Sequence, residues 1–126
     1  MTIRNKDLYM SNLWDWGIFN GCFGNSRISI TDLDGMVERN GKFLIIEAKS
    51  EDKPVPTGQR IMFENLAKLD CFTVIVLWGT PNNPVKYQQY FNQDGKPFAS
   101  EIKECDLIDV RRIIKNWYLQ ANRRIR

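Results

Sequence analysis

At 126 residues, with 43% hydrophobic and 26% charged residues, the chain is the size of one globular domain, and its composition is neither low-complexity nor that of a disordered chain. It contains no histidine, which removes a Ser-His-Asp hydrolase, a histidine-based nuclease and a histidine metal site together. The net charge of +3 conceals an asymmetry: Arg111, Arg112, Lys115, Arg123, Arg124 and Arg126 fall in a final segment that holds no acid, and the rest is mildly acidic. Cys22, Cys71 and Cys105 are widely spaced, without the paired spacing of a zinc site, and read as reduced cysteines used mostly in packing. No cationic segment leads into an apolar run, and no apolar stretch reaches the length of a membrane helix, so neither export nor membrane insertion is expected and the location reads as cytoplasmic.

In chain order, Met10 to Phe19 reads as a short helix with Ser11 near its start, broken by the glycine-rich Gly21-Cys22-Phe23-Gly24-Asn25. Trp14 and Trp16 offer surfaces on which a base could stack, although burial of at least one of them in a core is the stronger expectation. A hairpin follows. Its arms, Met36 to Arg39 and Lys42 to Ile46, are joined by Asn40-Gly41, the pair that a two-residue type I′ turn requires. With Arg39 opposite Lys42, the register places Asp34 opposite Glu47 and Asp32 opposite Lys49, with opposed Cβ atoms ~4.5–5.5 Å apart. Pro54, Pro56, Thr57 and Gly58 punctuate the next connection, and Thr57 is a plausible N-cap for a helix ending near Leu69. Gln59, Met62, Phe63 and Leu66 share one face of that helix.

Phe72 to Trp78, closed by Gly79, is a continuous apolar run expected of a buried central strand, parallel to a hairpin arm across the helix. Thr80 to Pro84 reads as a loop. Tyr87 to Phe91 and Lys96 to Ala99, flanking Asp94-Gly95, predict a second, peripheral hairpin. Leu107, Val110, Ile114, Trp117 and Ala121 then repeat at helical spacing, so one face of a last helix is expected on the core while Arg111, Arg112 and Lys115 look outward. The expected architecture is a single α/β domain over residues 1–126: a mixed sheet built on the first hairpin and flanked by helices.

The cluster formed by Asp34, Glu47 and Lys49 carries the chemistry. Like charges opposed across two strands destabilise a sheet, so Asp34 against Glu47 calls for a compensating partner. Lys49 can supply it as an ordinary ion cluster. A divalent cation is the more natural partner, because two carboxylates and a neighbouring carbonyl suit the hard-oxygen, partly hydrated coordination of Mg²⁺.

These residues resemble the PD-(D/E)XK nuclease superfamily, through Asp34-Gly35, the Glu47-Ala48-Lys49 triplet that closes the next strand, and Gln59 entering the following helix. The wider run from Trp14 to Gly79 is most similar to small phage-type, VRR-NUC or Holliday-junction-resolvase-like members. The resemblance covers about half the chain and implies a restriction-endonuclease-like core. It further implies that Asp34, Glu47 and the Ala48 carbonyl bind Mg²⁺ or Mn²⁺, that Lys49 positions the attacking water, and that Gln59 completes the catalytic set. Leu33 stands where the motif's proline would be, and Asp15 is the nearby candidate for the acid that the family places on its first helix.

The function expected is therefore metal-dependent endonucleolytic hydrolysis of nucleic acid, most naturally DNA and branched or junction DNA among its forms, in a bacterial or phage-infected cell. Arg27, Lys53 and Arg60 beside the metal site, with Arg111, Arg112, Lys115, Arg123, Arg124 and Arg126, are the candidate phosphate-binding residues. The bland alternative for the last six is a solvated helix face. Symmetric cutting of a branch would favour a homodimer. Two rival classes stay open: a nuclease fold that binds nucleic acid without turnover, and a phage-type regulator whose arginines meet an acidic protein surface.

Overall fold

The computed structural model describes residues 12–123, which divide into two compact units, one ending at Asp32 and one beginning at Leu33. Among the described residues of the first unit, the regular element is a single 3₁₀ turn at Trp16–Phe19. Asp15 caps it, its Oδ1 accepting from the Gly17 N–H at 2.9 Å. That local bond and the glycine inside the turn oppose a longer helix, which corrects the expectation of one from Met10 to Phe19; Met10 and Ser11 lie outside the described residues. Neither tryptophan is buried: Trp14 is 69% and Trp16 38% exposed, their rings 5.8 Å apart.

The second unit is an α/β fold with a mixed, open six-stranded sheet and two helices. Its elements are β1 (Gly35–Arg39), β2 (Lys42–Lys49), α1 (Thr57–Ala67), β3 (Phe72–Thr80), β4 (Asn83–Gln93), β5 (Lys96–Ala99), β6 (Lys103–Glu104) and α2 (Leu107–Ala121). The strands lie in the order β1-β2-β3-β4-β5, with β6 also paired to β4. Only β2 and β3 are parallel, joined across α1; the other pairs are antiparallel. Asn40 and Gly41 take φ values of 53° and 78°, and the hairpin has the expected register, Arg39 opposite Lys42 through Gly35 opposite Ile46.

Alternation along the strands sorts the two faces of the sheet. Ile45, Val74, Val76, Trp78 and Tyr90 form a buried cluster with Phe63 and Ala67 of α1. The opposite face, which includes the fully buried Leu44 and Ile75, is the side of α2, whose Val110 and Ala121 are buried. The carboxylate of Asp106 caps α2, accepting from the Asp109 N–H in a reciprocal capping box. At the far end of α2, Arg39 Nε donates to Asn122 Oδ1 at 2.6 Å and Asn40 Nδ2 to the Ala121 carbonyl at 3.1 Å, tying the helix end to the hairpin turn.

Four expectations are corrected. Thr57 is the first residue of α1 and not its cap; Pro56 precedes it and makes no side-chain capping bond. Residues 80–84 are no loop, because a two-residue turn at Pro81-Asn82 pairs Thr80 with Asn83 and runs straight into β4. The second hairpin is consequently not peripheral: β4 is an interior strand eleven residues long. Its polar residues, Lys86, Gln88 and Gln89, interrupt the alternation by which a strand is read from sequence. Pro84 is tolerated in β4 because the register shifts beside it, at Trp78/Gly79. Finally, Leu107, expected on the core, is 49% exposed. No helix among the described residues is long and apolar enough to cross a membrane.

Candidate metal and phosphate site

The first hairpin opens at the end opposite its turn, and the candidate site lies there. Ladder pairing stops at Gly35 and Ile46, so neither Asp34–Glu47 nor Asp32–Lys49 is a strand pair. Instead the Asp34 side chain replaces a strand. Its Oδ2 accepts the backbone N–H of Ala48 at 2.8 Å, taking the place of a backbone carbonyl on β1. Because a residue in an antiparallel ladder turns its N–H and C=O to the same side, the Ala48 carbonyl faces the region that Asp34 occupies.

Glu47 is 4% exposed and is the only charged side chain buried among the described residues. Interring a carboxylate is costly unless it is compensated, and such groups gather at functional sites. Lys49, two residues on and on the same face of β2, is half-buried. Gln59 stands one helical turn before Phe63, on the α1 face that covers this side of the sheet, toward the ends of β2 and β3. Its Oε1 is buried and accepts no hydrogen bond among the described residues. Trp78 Nε1 donates to the Lys53 carbonyl at 2.6 Å, fastening the β2–α1 connection to the end of β3. Sequence reasoning misses this latch; a tryptophan closing a buried strand is its signal.

Asp34, Glu47 and the Ala48 carbonyl offer an all-oxygen donor set on one edge. Groups of three or more His, Cys, Asp or Glu side chains are absent among the described residues. Two carboxylates and a carbonyl nevertheless fit Mg²⁺, which keeps several waters and demands few protein ligands. The chemistry available at such a place is polarisation of a phosphate and activation of water, with an ammonium alongside.

The basic candidates are not all brought together. Lys53, in the β2–α1 connection, and Arg60, early in α1, are exposed; Arg60 is paired with Glu64 at 3.9 Å. Arg111, Arg112 and Lys115 are exposed on α2, and Arg112 is paired with Asp109 at 3.6 Å. Arg111 shares a cleft with Lys49. Arg123, by contrast, lies with Lys42 at the start of β2, the opposite end of the strands. Arg124 and Arg126 lie outside the described residues. Arg27 and Asp15 belong to the first unit, where Asp15 serves as the cap described above. Cys71 and Cys105 are half-buried, in keeping with packing, whereas Cys22 is exposed and is not a packing residue.

Comparison of the chain with protein-family models, with curated proteins and with solved structures returns no match.

Proposed function

We propose that the second unit is a restriction-endonuclease-like core that hydrolyses phosphodiester bonds of nucleic acid with Mg²⁺ or Mn²⁺. The observation that carries this reading is the convergence of Asp34, buried Glu47, Ala48 and Lys49 at one open hairpin end. Asp34, Glu47 and the Ala48 carbonyl would hold the metal, which when bound polarises the phosphate and lowers the pKa of water. Asp34 also fixes the Ala48 backbone, so the carbonyl is oriented before any ligand arrives. Lys49 holds the attacking water and offsets charge that builds on the phosphorus oxygens. The Gln59 amide oxygen, buried and without a hydrogen bond, accepts a hydrogen bond from that water and aligns it. The first turn of α1 contains no acidic residue, so the positive end of the helix dipole also favours a phosphate there.

The test is incubation of the purified chain with supercoiled plasmid, a four-way junction and single strands in Mg²⁺ or Mn²⁺. Cutting is expected with metal and not with EDTA. Lys49→Ala should lower it by ~10²-fold or more while metal affinity persists in calorimetry. Metal-independent cutting, or none with any substrate, overturns the assignment. Retained binding without cutting would favour the non-catalytic binding module.

A further inference from the structure

An open cleft of about 500 Å³ lies against the ends of β2 and β3, the Pro81-Asn82 turn and the first two turns of α2. Leu77, Pro84, Leu107 and Ile114 give it apolar walls, Arg111 brings a cation to it from α2, Lys49 borders it at the end of β2, and no acidic residue is among the described residues that line it. Leu107 belongs to the apolar stripe of α2 and yet is 49% exposed, because it faces this open volume and not the sheet. Arg111 makes no ion pair among the described residues.

An apolar hollow of this size with the Arg111 cation at its wall fits a ligand that is flat and apolar at one end and anionic at the other. Resting on the phosphodiesterase reading above, we propose that the cleft receives the base of an unpaired nucleotide next to the phosphate being cut, with Arg111 binding the adjoining phosphate. Lys49 stands between the two places: its side chain is on the Glu47 face of β2, and its position at the strand end borders the cleft on the other face. A base within a duplex is stacked and paired and cannot enter such a hollow unless it is extruded, whereas an unpaired base enters freely and gains by burying its faces. The substrate class is accordingly single-stranded, flapped or splayed nucleic acid, and not uninterrupted duplex.

Binding measured in EDTA separates this proposal from the reaction. The full chain is titrated by fluorescence anisotropy with a labelled single strand, a splayed duplex and a blunt duplex of matched sequence. Single and splayed strands should bind about tenfold or more tightly than the blunt duplex, the scale for burying one base. Leu107→Glu places an acid in the cleft at an exposed position and should abolish that preference while thermal stability and duplex binding are unchanged. Arg111→Ala should weaken single-strand binding and lower its dependence of log affinity on log salt by about 0.7. Equal affinity for blunt duplex and single strand, or an unchanged preference in Leu107→Glu, overturns the proposal, as does binding of neither nucleic acid, which would leave the cleft to a protein segment or a second copy. A chain that fails to cut in Mg²⁺ but shows the preference refutes the reaction and keeps the cleft.

Discussion

Asp34 and Glu47 lie at the same open end of the first hairpin, yet the chain uses them differently. Asp34 is exposed and holds a backbone N–H, whereas Glu47 is interred in the sheet. Asp34→Asn keeps an acceptor oxygen for the Ala48 N–H, so its stability in EDTA should match the wild type; Asp34→Ala should lose about 0.5–1.5 kcal/mol, the net worth of one hydrogen bond. Mg²⁺ should raise the wild-type melting temperature, by an equivalent of ~2.7 kcal/mol at a hundred times Kd. Both Asp34→Asn and Glu47→Gln should abolish that rise; a rise retained in either variant would remove that residue from the metal site. Cys105 offers a separate titration, outside the carboxylate cluster. Burial, and then the nearby Asp109 and Asp106, push its thiol above the ordinary value. The neutral thiol is the form that folding favours, so its contribution to stability is complete below the unfolded pKa and fades as pH rises through the folded one. Since the thiolate is the reactive species, iodoacetamide should modify Cys105 more slowly in the native protein than in urea, read by mass spectrometry; equal rates would contradict the raised pKa.

Among the elements, those legible in the sequence are those whose local chemistry admits one geometry. Asn40-Gly41 demands two left-handed residues, and the hairpin register follows from it; the same logic serves Asp94-Gly95, whose φ values are 54° and 84°. The continuous run Phe72 to Trp78 is recognisable as a strand covered on both faces. The register set by the turn is legible up to Gly35 and Ile46, but the ladder stops before Asp34 would pair with Glu47, and the replacement of its next bond by the Asp34 side chain is not legible. β4 reads short because its glutamines and Lys86 carry no alternation, and its pairing rests on a turn whose chemistry, Pro81-Asn82, also fits an open loop. The stripe on α2 is correct in period, but spacing cannot distinguish a leucine against a sheet from one against a cleft, as Leu107 demonstrates. Two glycines put the turns to the test. Gly41→Ala meets open space but must hold φ at 78°, a cost of about 1–2 kcal/mol. At Gly79 a Cβ would collide with the backbone carbonyl of Asn83, which cannot rotate away. Gly79→Ala should therefore lower the urea midpoint more than Gly41→Ala, and the reverse order would refute the close approach at the β3–β4 turn.

Across the whole molecule, α2 spans from the cleft beside Lys49 to the hairpin turn, and its cations are distributed along that length and not gathered at the carboxylates. At ~1.5 Å per residue, the twelve positions from Arg111 to Arg123 amount to about 18 Å, several phosphates along a strand. Arg112 is already engaged by Asp109, and Arg111 is the cation nearest the proposed reaction. If the segment beyond Asn122 also follows a phosphate backbone, it does so at the far end of the strands. Deleting residues 123–126 removes Arg123, Arg124 and Arg126 but leaves the Arg39–Asn122 and Asn40–Ala121 bonds that hold the helix end. The truncated chain should melt with the wild type and bind Mg²⁺ equally well. Its slope of log affinity against log salt on duplex DNA should fall by up to ~3 units, at ~0.9 for each phosphate that is no longer neutralised. The measurement requires affinities at four or five salt concentrations for both chains. An unchanged slope would mean that these arginines are solvated, and that the phosphates are held around Lys53, Arg60 and Arg111, on the two faces of the sheet that flank the carboxylates.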